Sequence, residues 1–131
     1  MKIKIMKRFI IVDDDKFSNL LSKILLNKLF KNVEVKDFLF PESALEYIET
    51  EFEKHEEKIT IFLDINMPTL TGWDFLKIFE TLPDSLKNQF QIFVLSSSID
   101  PIDIERAKAD PLVIDFIEKP LSKAVLEKYF G

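Results

Sequence analysis

Apolar residues in this chain come in five short runs separated by longer amphipathic stretches, and this alternation constrains the fold more than any other feature. The runs are 8–13 (RFIIVD), 33–38 (VEVKDF), 60–63 (TIFL), 91–95 (QIFVL) and 113–118 (VIDFIE), lengths that suit strands. Between them apolar residues recur at helical spacing. Leu20, Leu21, Ile24, Leu25 and Leu29 do so after Phe17, Ala44, Leu45, Ile48 and Phe52 after Pro41, and Phe75, Leu76 and Phe79 after Gly72. A fourth helix starts at Asp100 as N-cap with Pro101 in the first helical position, and a fifth at Ser122. The first, third and fourth runs are apolar on both faces, as central parallel strands covered by helices on each side must be. The expected fold is α/β, a three-layer doubly wound sandwich of five strands and five helices.

At 131 residues the chain is long enough to bury a core as one domain, 1–131. The absence of cysteine excludes disulfides and thiolate metal sites and sits easily with a reducing cytoplasm, the expected location. With 18 basic and 23 acidic side chains, net −5, the chain does not read as a nucleic-acid binder. The opening MKIKIMKRFIIV holds an apolar run of only about five residues before charges resume, which is neither a secretory signal nor a membrane span.

In a doubly wound sheet, ligands bind beyond the carboxyl ends of the strands. That rule selects Asp13, Asp14 and Asp15 after the first run, Asp64 after the third, Ser96, Ser97 and Ser98 after the fourth, and Lys119 after the fifth. Two carboxylates about 4 Å apart repel by roughly 4 kcal/mol at an effective dielectric near 20. Three in a row at the mouth of a buried strand therefore either splay into water or gather around a cation. Carboxylates and carbonyls form a hard-oxygen site that suits Mg²⁺ better than Zn²⁺. Mg²⁺ favours one or two carboxylates, several waters and phosphate oxygens, which gives Lys119 and Ser96 a role on a phosphoryl group. Asp64, alone at a strand end in IFLDINMP with Pro68 and Gly72 in the turn behind it, is the carboxylate placed to act as nucleophile towards phosphorus.

The set VDD (Val12 to Asp14), LDINMP (Leu63 to Pro68) with Gly72, LSS (Leu95 to Ser97) and EKP (Glu118 to Pro120), in this order, resembles the receiver domain of bacterial two-component response regulators, over essentially the whole chain. The resemblance implies a flavodoxin-like sheet of order 2-1-3-4-5 and phosphorylation of Asp64. It implies Mg²⁺ held directly by Asp14, through water by Asp13, and by Asp64 and the backbone carbonyl of Asn66. It makes Ser96 the switch hydroxyl, Lys119 the phosphate-contacting lysine in a cis peptide with Pro120, and Phe116 the aromatic switch residue, here without a hydroxyl. The implied partners are a histidine kinase or histidine phosphotransfer protein and a downstream protein target, with no direct nucleic-acid or membrane contact. The protein would be a monomer or a phosphorylation-dependent dimer, with no output domain after the last helix.

The interval from Ser96 to Lys119 is one residue longer than in well-known single-domain members, with the surplus expected around Ala109 to Pro111. Asp15 reads as a solvated extra, Trp73 as a packing residue, and most of the thirteen phenylalanines as core. The single histidine, His55 in EKHEEK, reads as a solvated surface residue, which places any phosphohistidine on another protein. A haloacid-dehalogenase-like phosphatase would use the D-x-D of Asp13 to Asp15 but leave Asp64 idle and lack a later acidic pair. A flavin module would not put three acids at its phosphate loop. A receiver fold kept as a phosphorylation-independent scaffold has no need of both Asp64 and Lys119.

Overall fold

The computed structural model describes residues 7–50 and 58–131. His55 and Phe52 lie outside the described residues. The elements are β1 (Lys7–Val12), α1 (Lys16–Leu29), β2 (Val33–Phe38), α2 (Pro41–Thr50), β3 (Ile59–Asp64), α3 (Gly72–Glu80), α4 (Asp84–Lys87), β4 (Phe90–Ser96), α5 (Pro101–Ala109), β5 (Val113–Glu118) and α6 (Lys123–Phe130). All pairings are parallel and the strand order is β2-β1-β3-β4-β5, as expected. The sixth helix is the one-turn α4, closed by the Lys87 N–H on the Pro83 carbonyl. It is too short to show a helical period in sequence, and it buries Leu86.

Strand alternation sends side chains to two cores. Ile10, Val12, Ile61, Leu63, Ile92 and Val94 face α2 and α3 with Ala44, Ile48, Phe75 and Phe79. Phe9, Ile11, Phe62, Phe93, Leu95 and Ile117 face α1 and α6 with Leu26, Leu121 and Leu126. On the second side Phe9, Phe62, Phe93 and Phe130 form a ring cluster with centroids 5.2–6.3 Å apart. Burying each such side chain stabilises the fold by about 1.5–3 kcal/mol. Caps fall where the sequence puts them: Asp100 accepts from the Ile102 N–H and Ser122 from the Val125 N–H.

Two expectations are corrected. The pairing of β5 with β4 is not regular, contrary to the continuous strand expected over 113–118. Ile92 pairs with Val113 and Phe93 with Asp115, so Ile114 is bulged and exposed, a position an edge strand tolerates.

The second correction concerns α1. Its apolar stripe does not face the core as a whole. Leu20, Leu21 and Ile24 are 51%, 47% and 55% exposed and Phe17 67%, while Asn19, Ser22 and Leu26 are buried. Asn19 faces inward because its amide donates to the Asp13 carbonyl (3.0 Å), tying the helix to the end of β1. That inward turn rotates Phe17 and the following Leu20, Leu21 and Ile24 towards solvent.

Candidate functional site

The strand ends of β1, β3, β4 and β5 bring Asp13, Asp64, Ser96 and Lys119 together. β1 runs straight into Asp13, whose N–H donates to the Phe38 carbonyl (3.0 Å) and whose Oδ1 accepts from the Asp15 N–H (2.9 Å). The three acids then divide their tasks. Asp13 is fully buried, Asp14 is exposed, and Asp15, although exposed, caps α1 by accepting from the Phe17 and Ser18 N–H groups, a role worth about 1 kcal/mol. Asp15 is therefore a cap as well as a solvated residue.

Asp64 ends β3 and is 3% exposed. Its Oδ1 accepts from the Asn66 N–H (3.0 Å). Gly72 packs behind it: a Cβ there would lie 2.7 Å from Ile65 Cα and 2.8 Å from the Asp64 carbonyl oxygen. Only glycine allows the start of α3 to approach this backbone so closely.

Ser96 ends β4, fully buried. Its hydroxyl oxygen accepts from the Asn66 side-chain amide (3.0 Å) and the Ser98 N–H (3.1 Å), which leaves the hydroxyl proton free to donate. Its carbonyl accepts from the Lys119 N–H (2.9 Å). Lys119 follows β5 and precedes Pro120 through a cis peptide. Phe116, three residues earlier, pairs with Val94 across the ladder and packs, partly buried, on the α2/α3 core.

The lysine is the electrostatic centre of the group. Its Nζ lies 2.6 Å from Asp13 Oδ2 and 3.3 Å from Asp64 Oδ2. The closer contact is a short charge-assisted one that occupies Asp13 Oδ2. Burial pushes the Asp64 carboxyl up to about 6, against the pull of the Asn66 N–H and Lys119 and with a further push from Asp13. Burial would lower the Lys119 ammonium, but Asp13 and Asp64 outweigh it and hold it above its ordinary value.

Asp13, Asp14 and Asp64 each offer a carboxylate oxygen within 4.8 Å of the others. The donors are all oxygen, and among the described residues Lys119 alone is a cation paired with the three clustered carboxylates, so the residues fit a hard divalent cation.

Sequence reasoning missed the Asn66 amide on Ser96 and the Asn19 amide on Asp13. Asn19 left a signal, an amide breaking into an apolar helical stripe one turn after the acids. The bond from Asn66 left none, because it joins residues thirty positions apart.

Comparison with known proteins agrees with this fold. The family model described as the response regulator receiver domain matches residues 9–130. No curated protein matches the chain. Among solved structures it is similar to a response regulator receiver protein from Dyadobacter fermentans DSM 18053, at 30% identity over 93% of each chain with a TM-score of 0.85. It is also similar to a two component response regulator from Cytophaga hutchinsonii, at 26% identity over 95% of this chain and 94% of that one, with a TM-score of 0.84. A CheY-like receiver domain from Methylobacillus flagellatus, at 22% identity over 94% of each chain and a TM-score of 0.74, shares the fold. The chain belongs to the response regulator receiver domain family, the signalling domains of two-component systems.

Proposed function

We propose that this domain is a phosphorylation-controlled switch in which Asp64 takes a phosphoryl group from a phosphohistidine on a histidine kinase or a histidine phosphotransfer protein. A carboxylate oxygen of Asp64 forms the new P–O bond as the P–N bond of the donor breaks, and the imidazole leaves with the electron pair. The observation that carries this reading is the shared lysine: Lys119 sits between Asp13 and Asp64 at the carboxyl edge of the sheet, where a transferred phosphoryl oxygen would meet it. Asp13, Asp14, Asp64 and the Asn66 carbonyl would hold Mg²⁺, which supplies charge neutralisation and orientation to the phosphoryl oxygens.

Ser96 has its proton free for a third phosphoryl oxygen, and drawing it inward moves the loop that starts α5. Phe116 then repacks, and the surface of α5, β5 and α6 changes its population between two arrangements. Output passes to a downstream protein through that surface, within the cytoplasm and without direct contact to nucleic acid or membrane. Among the described residues no helix is long and apolar enough to cross a membrane. The only enzymatic work assigned to the domain is assistance in its own phosphorylation and dephosphorylation.

The test is intact mass after incubation with acetyl phosphate, with and without Mg²⁺, for wild type and Asp64→Asn. A Mg²⁺-dependent gain of one phosphoryl group, absent in the variant, is expected. A gain that persists in Asp64→Asn refutes the acceptor assignment. No gain where a control receiver is modified favours the scaffold reading.

A further inference from the structure

Two polar side chains of α1 are buried, Asn19 fully and Ser22 at 6% exposure, and they differ in what they touch. Asn19 donates from Nδ2 to the Asp13 carbonyl (3.0 Å), whereas among the described residues the Ser22 side chain makes no hydrogen bond to the carboxyl edge of the sheet. The other half of the Asn19 amide is left unsatisfied, because its Oδ1 is buried with no hydrogen bond. An unpaired buried acceptor costs stability. The bond to Asp13 is therefore the only side-chain hydrogen bond that burying Asn19 secures.

That carbonyl belongs to the planar peptide unit joining Asp13 to Asp14, so fixing it also fixes the plane from which the Asp14 Cα departs. The next unit, Asp14 to Asp15, is fixed from its far end, because the Asp15 N–H donates to Asp13 Oδ1 (2.9 Å). Asp14 is thus held by backbone on both sides. Its carboxylate depends on this more than the other two acids do. Asp13 is also anchored by its N–H on the Phe38 carbonyl (3.0 Å) and by Lys119, and Asp64 by the Asn66 N–H. Asp14 is exposed, and among the described residues nothing hydrogen-bonds its carboxylate. Its place in the oxygen cluster with Asp13 and Asp64 comes from the two peptide planes, and one of them is set by Asn19.

We infer that Asn19 is a positioning residue for divalent-cation binding, acting through the Asp13 carbonyl on the exposed ligand Asp14. The inference rests on the Mg²⁺ site proposed above and extends it to a residue outside the oxygen cluster itself. The effect is one of pre-organisation: with its peptide plane free, Asp14 samples other directions and must be ordered again when the cation binds. Side chains that orient a metal's ligands typically change its affinity by about 10–100-fold. Asn19 holds one plane of two, so the lower end, about tenfold, applies to it. By reciprocity the cation strengthens the tie between α1 and Asp13 by the same factor.

The experiment is isothermal titration calorimetry of Mg²⁺ into the full unphosphorylated chain at about pH 8, where Asp64 is ionised. It compares wild type with Asn19→Leu, Asn19→Ala and, as a control on α1 packing, Ser22→Ala. Asn19→Leu takes the donor from the Asp13 carbonyl but also removes the unpaired Oδ1, so the two effects offset and its urea midpoint should stay near that of wild type. Its Mg²⁺ dissociation constant should nonetheless rise about tenfold, with a similar rise in Asn19→Ala and none in Ser22→Ala. Labelling by acetyl phosphate should slow in both Asn19 variants at limiting Mg²⁺ and recover when Mg²⁺ saturates. An unchanged constant in folded Asn19→Leu or Asn19→Ala overturns the inference. So does an equal rise in Ser22→Ala, which would make the effect one of helix packing, and so does a wild type that binds no Mg²⁺ in the millimolar range. Weaker binding in both Asn19 variants beside a wild type that is never labelled upholds the inference and refutes the switch reading, so the two fail separately.

Discussion

Replacing Asp64 by Asn should make the protein more stable at alkaline pH while leaving it almost unchanged in acid. The sign follows from burial. Asp64 titrates at about 6 in the folded chain against an ordinary 3.8, so between those values the folded state holds a proton that the unfolded state has released. Stability therefore falls as pH rises through this window. Above about pH 6 the folded state carries the full cost of a buried carboxylate, about 3 kcal/mol for a rise of this size. Below about pH 4 the group is protonated in both states and the cost vanishes. The amide of the Asp64→Asn variant never ionises, so the variant escapes this cost at every pH. The rise is already net of the attraction from Lys119, 3.3 Å away, so a net gain of about 3 kcal/mol at pH 8 is expected. The assay is urea unfolding followed by far-ultraviolet circular dichroism in EDTA, at about pH 8 and about pH 4. With m near 2 kcal/mol per molar, the midpoint should rise by about 1.5 M at the higher pH and by much less at the lower. Equal midpoints at pH 8, or an equal gain at both pH values, would refute the argument that burial sets the ionisation of Asp64.

Lys119→Met removes the cation that contacts both buried carboxylates. It should destabilise the fold by about 3 kcal/mol, and the double variant with Asp64→Asn should recover part of that loss in a thermodynamic cycle. Gly72→Ala pushes a methyl group against the Asp64 and Ile65 backbone. It should lower stability by about 2 kcal/mol or more, and should slow labelling by acetyl phosphate because the displaced atoms carry the acceptor. Millimolar Mg²⁺ should raise the melting temperature of wild type at pH 8 more than at pH 5, since protons compete for the same oxygens. Asp14→Asn should abolish most of that rise in a thermal scan.

The sheet was legible in sequence because its three central strands are buried on both faces, and a run such as Phe9 to Val12 has few other uses. Site residues were legible because parallel connectivity sends every strand's carboxyl end to one edge, so Asp13, Asp64, Ser96 and Lys119 could be gathered without knowing any distance. The helix α1 was misread for a physical reason. Period alone states that Leu20, Leu21 and Ile24 share a face, and the hydrophobic effect alone assigns that face to the core. A single hydrogen bond from Asn19 to the Asp13 carbonyl turns a different face inward, and such a bond between a helix and a strand end has no periodic signature. Ile114 was missed similarly, because a bulge is a property of the pairing of β5 with β4 and not of either strand.

Charge explains why the acids crowd at the mouth of β1. Asp13 and Asp64 share one lysine, so the buried part of the site is one positive charge short, and the exposed Asp14 adds a second negative charge. A carboxylate that becomes an acyl phosphate goes from one negative charge to nearly two, which without a further cation would leave about three uncompensated charges within a few ångströms. At an effective dielectric near 20, each pair at 4 Å costs about 4 kcal/mol. A divalent ion among Asp13, Asp14 and Asp64 brings the resting site to neutrality and the phosphorylated site to about one negative charge. Burial, with a smaller push from Asp13, lifts Asp64 to about 6, still low enough that roughly nine in ten molecules are ionised at pH 7. Stability lost to crowded carboxylates and readiness to accept a phosphoryl group are thus two readings of one electrostatic arrangement.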